Sequence, residues 1–197
     1  MACEHLEQRG EWQGEANVRG QSVEDMFNGI MEKYLKQSGF KLVPKPEDLK
    51  SVYGVRTMLI SNRARGKPED LKSVYGVRTT GRAHGIEPDF MIRNPSNGRT
   101  VFIEIKRQKD EGNAHERACK YMMPGIVKAM QEVGNQPSNI LPMWWIFTNG
   151  IAKDPNYRQA ITFWFRGIAG NMLLWEDVRD HNPVTDHFEK HIRDMLV

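Results

Sequence analysis

Ile86-Glu87-Pro88-Asp89-Phe90-Met91-Ile92, the turn Asn94-Pro95-Ser96-Asn97-Gly98, and Arg99-Thr100-Val101-Phe102-Ile103-Glu104-Ile105-Lys106-Arg107 read together as a β-hairpin. The second arm alternates. Val101, Ile103 and Ile105 point one way, and Thr100, Phe102, Glu104 and Lys106 the other, which is the period of a half-buried strand. Folding the chain about Ser96/Asn97 sets Asp89 opposite Glu104, and directly opposed residues carry Cβ atoms about 4.5–5.5 Å apart. Two carboxylates that close repel unless a positive charge lies between them, and a hard divalent cation such as Mg2+ suits oxygen ligands of this kind. Lys106 lies one pleat further along. The group reads as a metal site for attack on phosphate, and the bland alternative is the polar face of an ordinary hairpin with Lys106 neutralising one acid.

Pro88-Asp89, fourteen intervening residues and then Glu104-Ile105-Lys106 is the pattern of the PD-(D/E)xK nucleases. Gly112-Asn113-Ala114-His115-Glu116-Arg117, following Ile105-Lys106-Arg107-Gln108, resembles the recognition segment of type II restriction endonucleases of the EcoRI/MunI group. The likeness runs with gaps from about Lys41 to the C-terminus, and its two motifs are jointly specific. It implies an α/β fold, with a central mixed β-sheet flanked by helices in a restriction-endonuclease-like core. It also implies Mg2+-dependent cleavage of double-stranded DNA at a short palindrome by a homodimer, with a cognate methyltransferase in the host.

Carried over residue by residue, the resemblance makes Asp89, Glu104 and the Ile105 carbonyl metal ligands. Lys106 becomes the catalytic lysine that orients the attacking water and offsets charge building on the phosphate, and Arg107, Asn113, Ala114, His115 and Arg117 become DNA contacts. Glu116 links recognition to catalysis. Asn113 and Glu116 also fit a capping box at a helix start, and the two roles are compatible because a capped N-terminus presents its first residues to a groove.

The net charge is only +3, but counting Lys and Arg against Asp and Glu gives −3 over residues 1–40, +7 over 41–120 and −1 over 121–197. The basic middle holds both motifs and suits a polyphosphate, although the same charge could be spread over several solvated faces. The length of 197 residues and a 39% apolar content suit one domain over 1–197. No apolar run approaches a membrane span, and the polar N-terminus lacks a secretory core, so the expectation is a cytoplasmic protein without a membrane partner. Cys3 and Cys119 have no metal-ligand spacing and read as free thiols.

Residues 1–20 read as a loose arm. Val23, Met26, Phe27, Ile30, Met31, Tyr34 and Leu35 have helical spacing behind Ser22, so 22–37 reads as a helix over the sheet, with Glu32 a remote third carboxylate. Lys45–Thr57 recurs unchanged at 67–79. Two copies do not make a solenoid, and the repeat reads as a recent duplication or a product of how the sequence arose. The first copy resembles the group's Lys-Pro-x-x-Leu-Lys-x-x-Tyr pattern, and the second is expected as filler in a loop over 58–80. A helix is expected from Asn113 to about Met123, ended by Pro124-Gly125 and followed by further turns through Met130. Ile140–Phe147, Ile161–Phe165 and Met172–Trp175 read as strands, their aromatics as core rather than base-stacking platforms, and Val184–Leu196 as a closing helix on the sheet or in a dimer contact.

Two rivals remain at this stage. One is a catalytically impaired sequence-specific DNA-binding protein, because only residues 107–111 connect Lys106 to Gly112, less than in the group. The other is a structure-directed PD-(D/E)xK nuclease. The resemblance implies an AATT centre. Asp110 and Glu111 stand where a basic residue reads the outer pair in the group, and they can accept from cytosine N4 but not donate to guanine, which favours CAATTG over GAATTC.

Overall fold

In a computed structural model that describes residues 22–46, 48–49, 87–108 and 114–197, five strands form one sheet in the order β1-β2-β3-β4-β5. They are β1 (Lys41–Pro44), β2 (Phe90–Arg93), β3 (Thr100–Gln108), β4 (Met143–Asn149) and β5 (Met172–Trp175). β1, β2 and β3 run antiparallel to their neighbours, and β3, β4 and β5 are parallel. The hairpin has the expected register, since Phe90 pairs with Ile103 and Met91 with Phe102. Its turn is built by side chains: Asn94 Oδ1 accepts from Ser96 N at 2.9 Å, and Gly98 takes φ +76°.

The alternation along β3 holds, but the strand is not half-buried. Thr100 through Ile105 are all buried, because helices cover both faces of the sheet. One layer packs Val101, Ile103, Ile105, Trp144 and Ile146 under α1 (22–35) and the C-terminal segment. The other packs Met91, Phe102, Trp145 and Phe147 under α2 (Ala114–Ala118), α3 (Pro124–Val133) and α5 (Pro155–Trp164), with the short α4 (Gly150–Lys153) between β4 and α5. Gly134 closes α3 where no side chain fits, because a Cβ there would stand 2.7 Å from the Met130 carbonyl.

Several expectations need correction. Ile161–Phe165 is not a strand but belongs to α5. Asp154 accepts from Asn156 N at 2.8 Å and Tyr157 N at 3.2 Å and Pro155 starts the helix, so a strong N-terminal signal upstream overrides a short run of strand-favouring residues. Ile161 and Phe165 are buried one turn apart, whereas Phe163 is 74% and Trp164 47% exposed. Pro124 does not simply end a helix, because it opens α3, after a 3-10 turn over Cys119–Met122. β4 begins at Met143 rather than Ile140, and β1 was not anticipated as a strand. The closing segment is α6 (Asn182–His187) continued by a π turn, Phe188–Ile192, and a 3-10 turn, Arg193–Met195. It packs on the sheet through Val184, Phe188, Ile192 and Leu196.

The described residues of the first repeat copy contribute to the fold: Leu49 is buried in the second layer, Asp48 pairs with Arg93 at 3.3 Å, and Lys45 N–H donates to the Asp89 carbonyl at 2.9 Å. The arm over 1–20, the second copy at 67–79 and the loop over 58–80 lie outside the described residues. Among the described residues no helix is long and apolar enough to cross a membrane.

Phe27 carries the contact between α1 and the sheet, with its ring 5.2 Å from Phe90 and 5.8 Å from Trp144. Phe27→Ala is expected to destabilise the protein by about 3–5 kcal/mol in urea denaturation. A loss of less than about 1 kcal/mol would show that α1 does not pack on this layer.

Candidate active site

The acidic pair stands where β2 begins beside the middle of β3, at the seam where strand direction changes and four residues before β3 and β4 end together at Gln108 and Asn149. Asp89 immediately precedes β2. Its backbone carbonyl accepts from Lys45 N at 2.9 Å, and its carboxylate Oδ2 accepts from Ile105 N at 2.7 Å. That second bond bridges to β3 beside Glu104, so the hairpin register and a side-chain bond together hold the two acids.

Glu104 is 2% exposed in the middle of an apolar strand, and its oxygens are divided. Oε1 faces the Lys106 ammonium and, at 3.3 Å, the Lys120 ammonium, while Oε2 accepts from the Tyr121 hydroxyl at 2.6 Å. A buried carboxylate needs this much compensation, since an isolated charge in such surroundings costs several kcal/mol. Asp89 is less well compensated. Burial and then the neighbouring Glu104 charge raise its carboxyl to about 7, against the pull of Lys106 and the Ile105 N–H. Burial and then the Glu104 charge also drive the Tyr121 hydroxyl far above its ordinary value, so it remains a donor.

A third carboxylate reaches this field, and it is not Glu32, which is exposed. Glu24, in the first turn of α1, is half-buried and has its carboxyl raised, first by burial, with Lys45, Lys106 and Glu104 among the charges it feels. Glu24, Lys120 and Tyr121 escaped the sequence reading. The core stripe of Val23 and Phe27 could have marked Glu24 as flanking the sheet, but nothing in the sequence says which end of the sheet that turn meets.

The donor set fits a hard cation. It consists of two carboxylates and a strand carbonyl, with no sulfur or imidazole, and the Asp89 carboxyl, raised by burial and then by the Glu104 charge, is a group whose charged form such a cation would favour. Among the described residues no three His, Cys, Asp or Glu side chains converge as a closed cage. An ion here would complete its shell with water and phosphate oxygens, as Mg2+ does.

The recognition residues divide differently from expectation. Asn113 lies outside the described residues. Ala114 is fully buried against the second layer, which leaves its backbone rather than its methyl group to face a groove. His115 is half-buried, its ring edge-on to Tyr157 at 6.4 Å and Trp164 at 5.8 Å. Arg117 and Glu116 are exposed on α2, and Arg107 is half-buried beside Asn149, whose amide oxygen, turned inward, accepts from its Nη2 at 3.0 Å. Glu116 does not touch Glu104, whose partners are Lys106, Lys120 and Tyr121. The link between α2 and the acidic pair runs through the 3-10 turn that follows it.

Comparison with known proteins agrees with this architecture. The type II restriction enzyme MunI of Mycoplasma sp is 29% identical over 207 aligned positions, covering 100% of both chains. The crystal structure of MunI restriction endonuclease in complex with cognate DNA superposes with a TM-score of 0.69 at 28% identity, over 94% of this chain and 97% of that one. The mixed sheet with helices on both faces is thus the restriction-endonuclease-like fold. Residues 1–197 match the family of the type II restriction enzyme MunI, and the chain belongs to that family of restriction endonucleases.

Proposed function

We propose that this restriction enzyme cleaves both strands of a DNA palindrome with an AATT centre, CAATTG preferred, using Mg2+. The observation that carries the reading is the meeting of Asp89, Glu104 and Lys106 at the seam of the sheet, with Ile105 N–H fixing the Asp89 carboxylate. Asp89, Glu104 and the Ile105 carbonyl would hold the ion, which when bound supplies Lewis acidity toward the scissile phosphate. Lys106, paired with Glu104 Oε1, would orient the attacking water and offset charge growing on the phosphate. Asn113 and Arg117 read adenine edges at the centre, Arg107 and His115 support the contact, and Glu116 lies on the same helix. A homodimer whose two-fold axis coincides with that of the palindrome cuts both strands equivalently. The whole of 1–197 forms one domain.

Asp89→Ala, Glu104→Ala and Lys106→Ala are each expected to abolish plasmid cleavage, as is excess EDTA. The two acid variants should bind DNA at least as well as the wild type, because less negative charge then faces the phosphates. Undiminished cutting by Asp89→Ala in Mg2+ would refute the site.

The raised Asp89 carboxyl adds a pH dependence. In chelator the folded protein keeps this proton up to about pH 7, whereas the unfolded chain releases it near its ordinary value of 3.8. Its contribution to stability is therefore present at low pH and lost as pH rises through 7. Melting in EDTA should show this decline between about pH 4 and 7 with a plateau above, Ca2+ should reverse it at pH 8, and Asp89→Asn should flatten it.

Duplexes that differ from CAATTG in one position test what is read. A substituted centre should cut about tenfold to a hundredfold more slowly, the loss of one bidentate contact, and GAATTC should show a smaller deficit. Sedimentation of the same duplexes with protein in Ca2+ should give two chains per duplex. Equal cutting of all centres, or one chain per duplex throughout, would overturn specificity or assembly respectively.

A further inference from the structure

We propose that Tyr121 is a positioning residue that fixes the Glu104 carboxylate and ties the metal site to the DNA-reading helix. The proposal rests on the functional reading above. Tyr121 is fully buried in the 3-10 turn directly following α2, and its hydroxyl donates to Glu104 Oε2 at 2.6 Å. The other oxygen, Oε1, faces only the ammonium groups of Lys106 and Lys120, both on long and partly exposed side chains. The two oxygens therefore differ in kind. Oε2 is held by a buried phenol hydroxyl in a packed turn, whereas Oε1 faces ammonium groups on partly exposed side chains, the side from which an incoming metal ion can approach. Tyr121 thus selects the rotamer in which Oε1 is the oxygen offered to the ion.

The same turn is anchored a second time, because Trp145 Nε1 donates to the Ala118 carbonyl at 3.2 Å. Ala118 ends α2, the helix that carries His115, Glu116 and Arg117. A shift of α2 on DNA is carried to Tyr121 three residues later and so to the Glu104 carboxylate. Glu116, which makes no contact with Glu104, is not needed for this link. The two anchors differ in what they bind: Trp145, the strand neighbour of Glu104 on β4, donates its Nε1–H to the Ala118 carbonyl, whereas the Tyr121 hydroxyl donates to the Glu104 carboxylate itself.

The test compares Tyr121→Phe with Trp145→Phe and wild type in the full-length protein. The readouts are melting temperature, affinity for a CAATTG duplex in EDTA and in Ca2+, and the Mg2+ concentration that half-saturates cleavage. Tyr121→Phe is expected to bind the duplex in EDTA as the wild type does, yet to lose about tenfold to a hundredfold of the Ca2+-induced gain in affinity, the worth of a hydrogen bond to a buried charge. It should also require correspondingly more Mg2+. Trp145→Phe should lower the melting temperature while leaving the Ca2+ gain and the Mg2+ requirement intact. A Tyr121→Phe protein with the wild-type Ca2+ gain, or one that merely matches Trp145→Phe, overturns the proposal while wild-type cleavage leaves the functional reading standing. Wild-type protein that neither cleaves in Mg2+ nor responds to Ca2+ overturns both.

Discussion

Everything at the working end of this protein depends on keeping the Glu104 side chain, 2% exposed, inside an apolar sheet. A carboxylate at that depth is tolerated only when its lone pairs are met, and here two lysines and a tyrosine hydroxyl meet them. Those partners come from β3 itself and from the turn after α2, so the helical layer has to lie against the strand closely enough for Tyr121 to reach. The packing of that layer through Trp145, Phe147, Phe165 and Met130 is as much a condition of the site as the acids are.

The second constraint is the antiparallel pairing of β2 with β3. A slip of one residue would turn Glu104 toward α1 and bring Ile103 or Ile105 into the acid's place, because side chains alternate across a strand. The turn from Asn94 to Gly98 protects against that slip, and it is itself held by the C-terminus, since Asn94 and Asn97 both donate to the Leu196 carbonyl, at 2.8 and 3.0 Å. Thus the last residues of the chain brace the loop that sets the register of the acidic pair about half the chain away.

Membership in the MunI family and the buried acidic pair converge from independent directions. One is whole-chain similarity. The other is the chemistry of two carboxylates and an ammonium at the seam of a mixed sheet. Phe163 and Trp164 are exposed on α5, and the Trp164 ring stands edge-on to His115 of α2 at 5.8 Å.

The sequence by itself determined the hairpin, its register and the pairing of Asp89 with Glu104, because a period of two and a tight turn are local properties that residue spacing encodes directly. It also determined the α1 stripe and the buried strands β4 and β5. It could not decide Ile161–Phe165, where five strand-favouring residues outweighed the Asp154-Pro155 helix start in the reading but not in the fold. Nor could it show that Ala114 turns inward or that Tyr121, Lys120 and Glu24 join the acids. The Tyr121 and Lys120 contacts arise where one layer meets another, Glu24 acts on the acids through its charge, and only tertiary packing sets how a helix is rotated and which end of the sheet it meets.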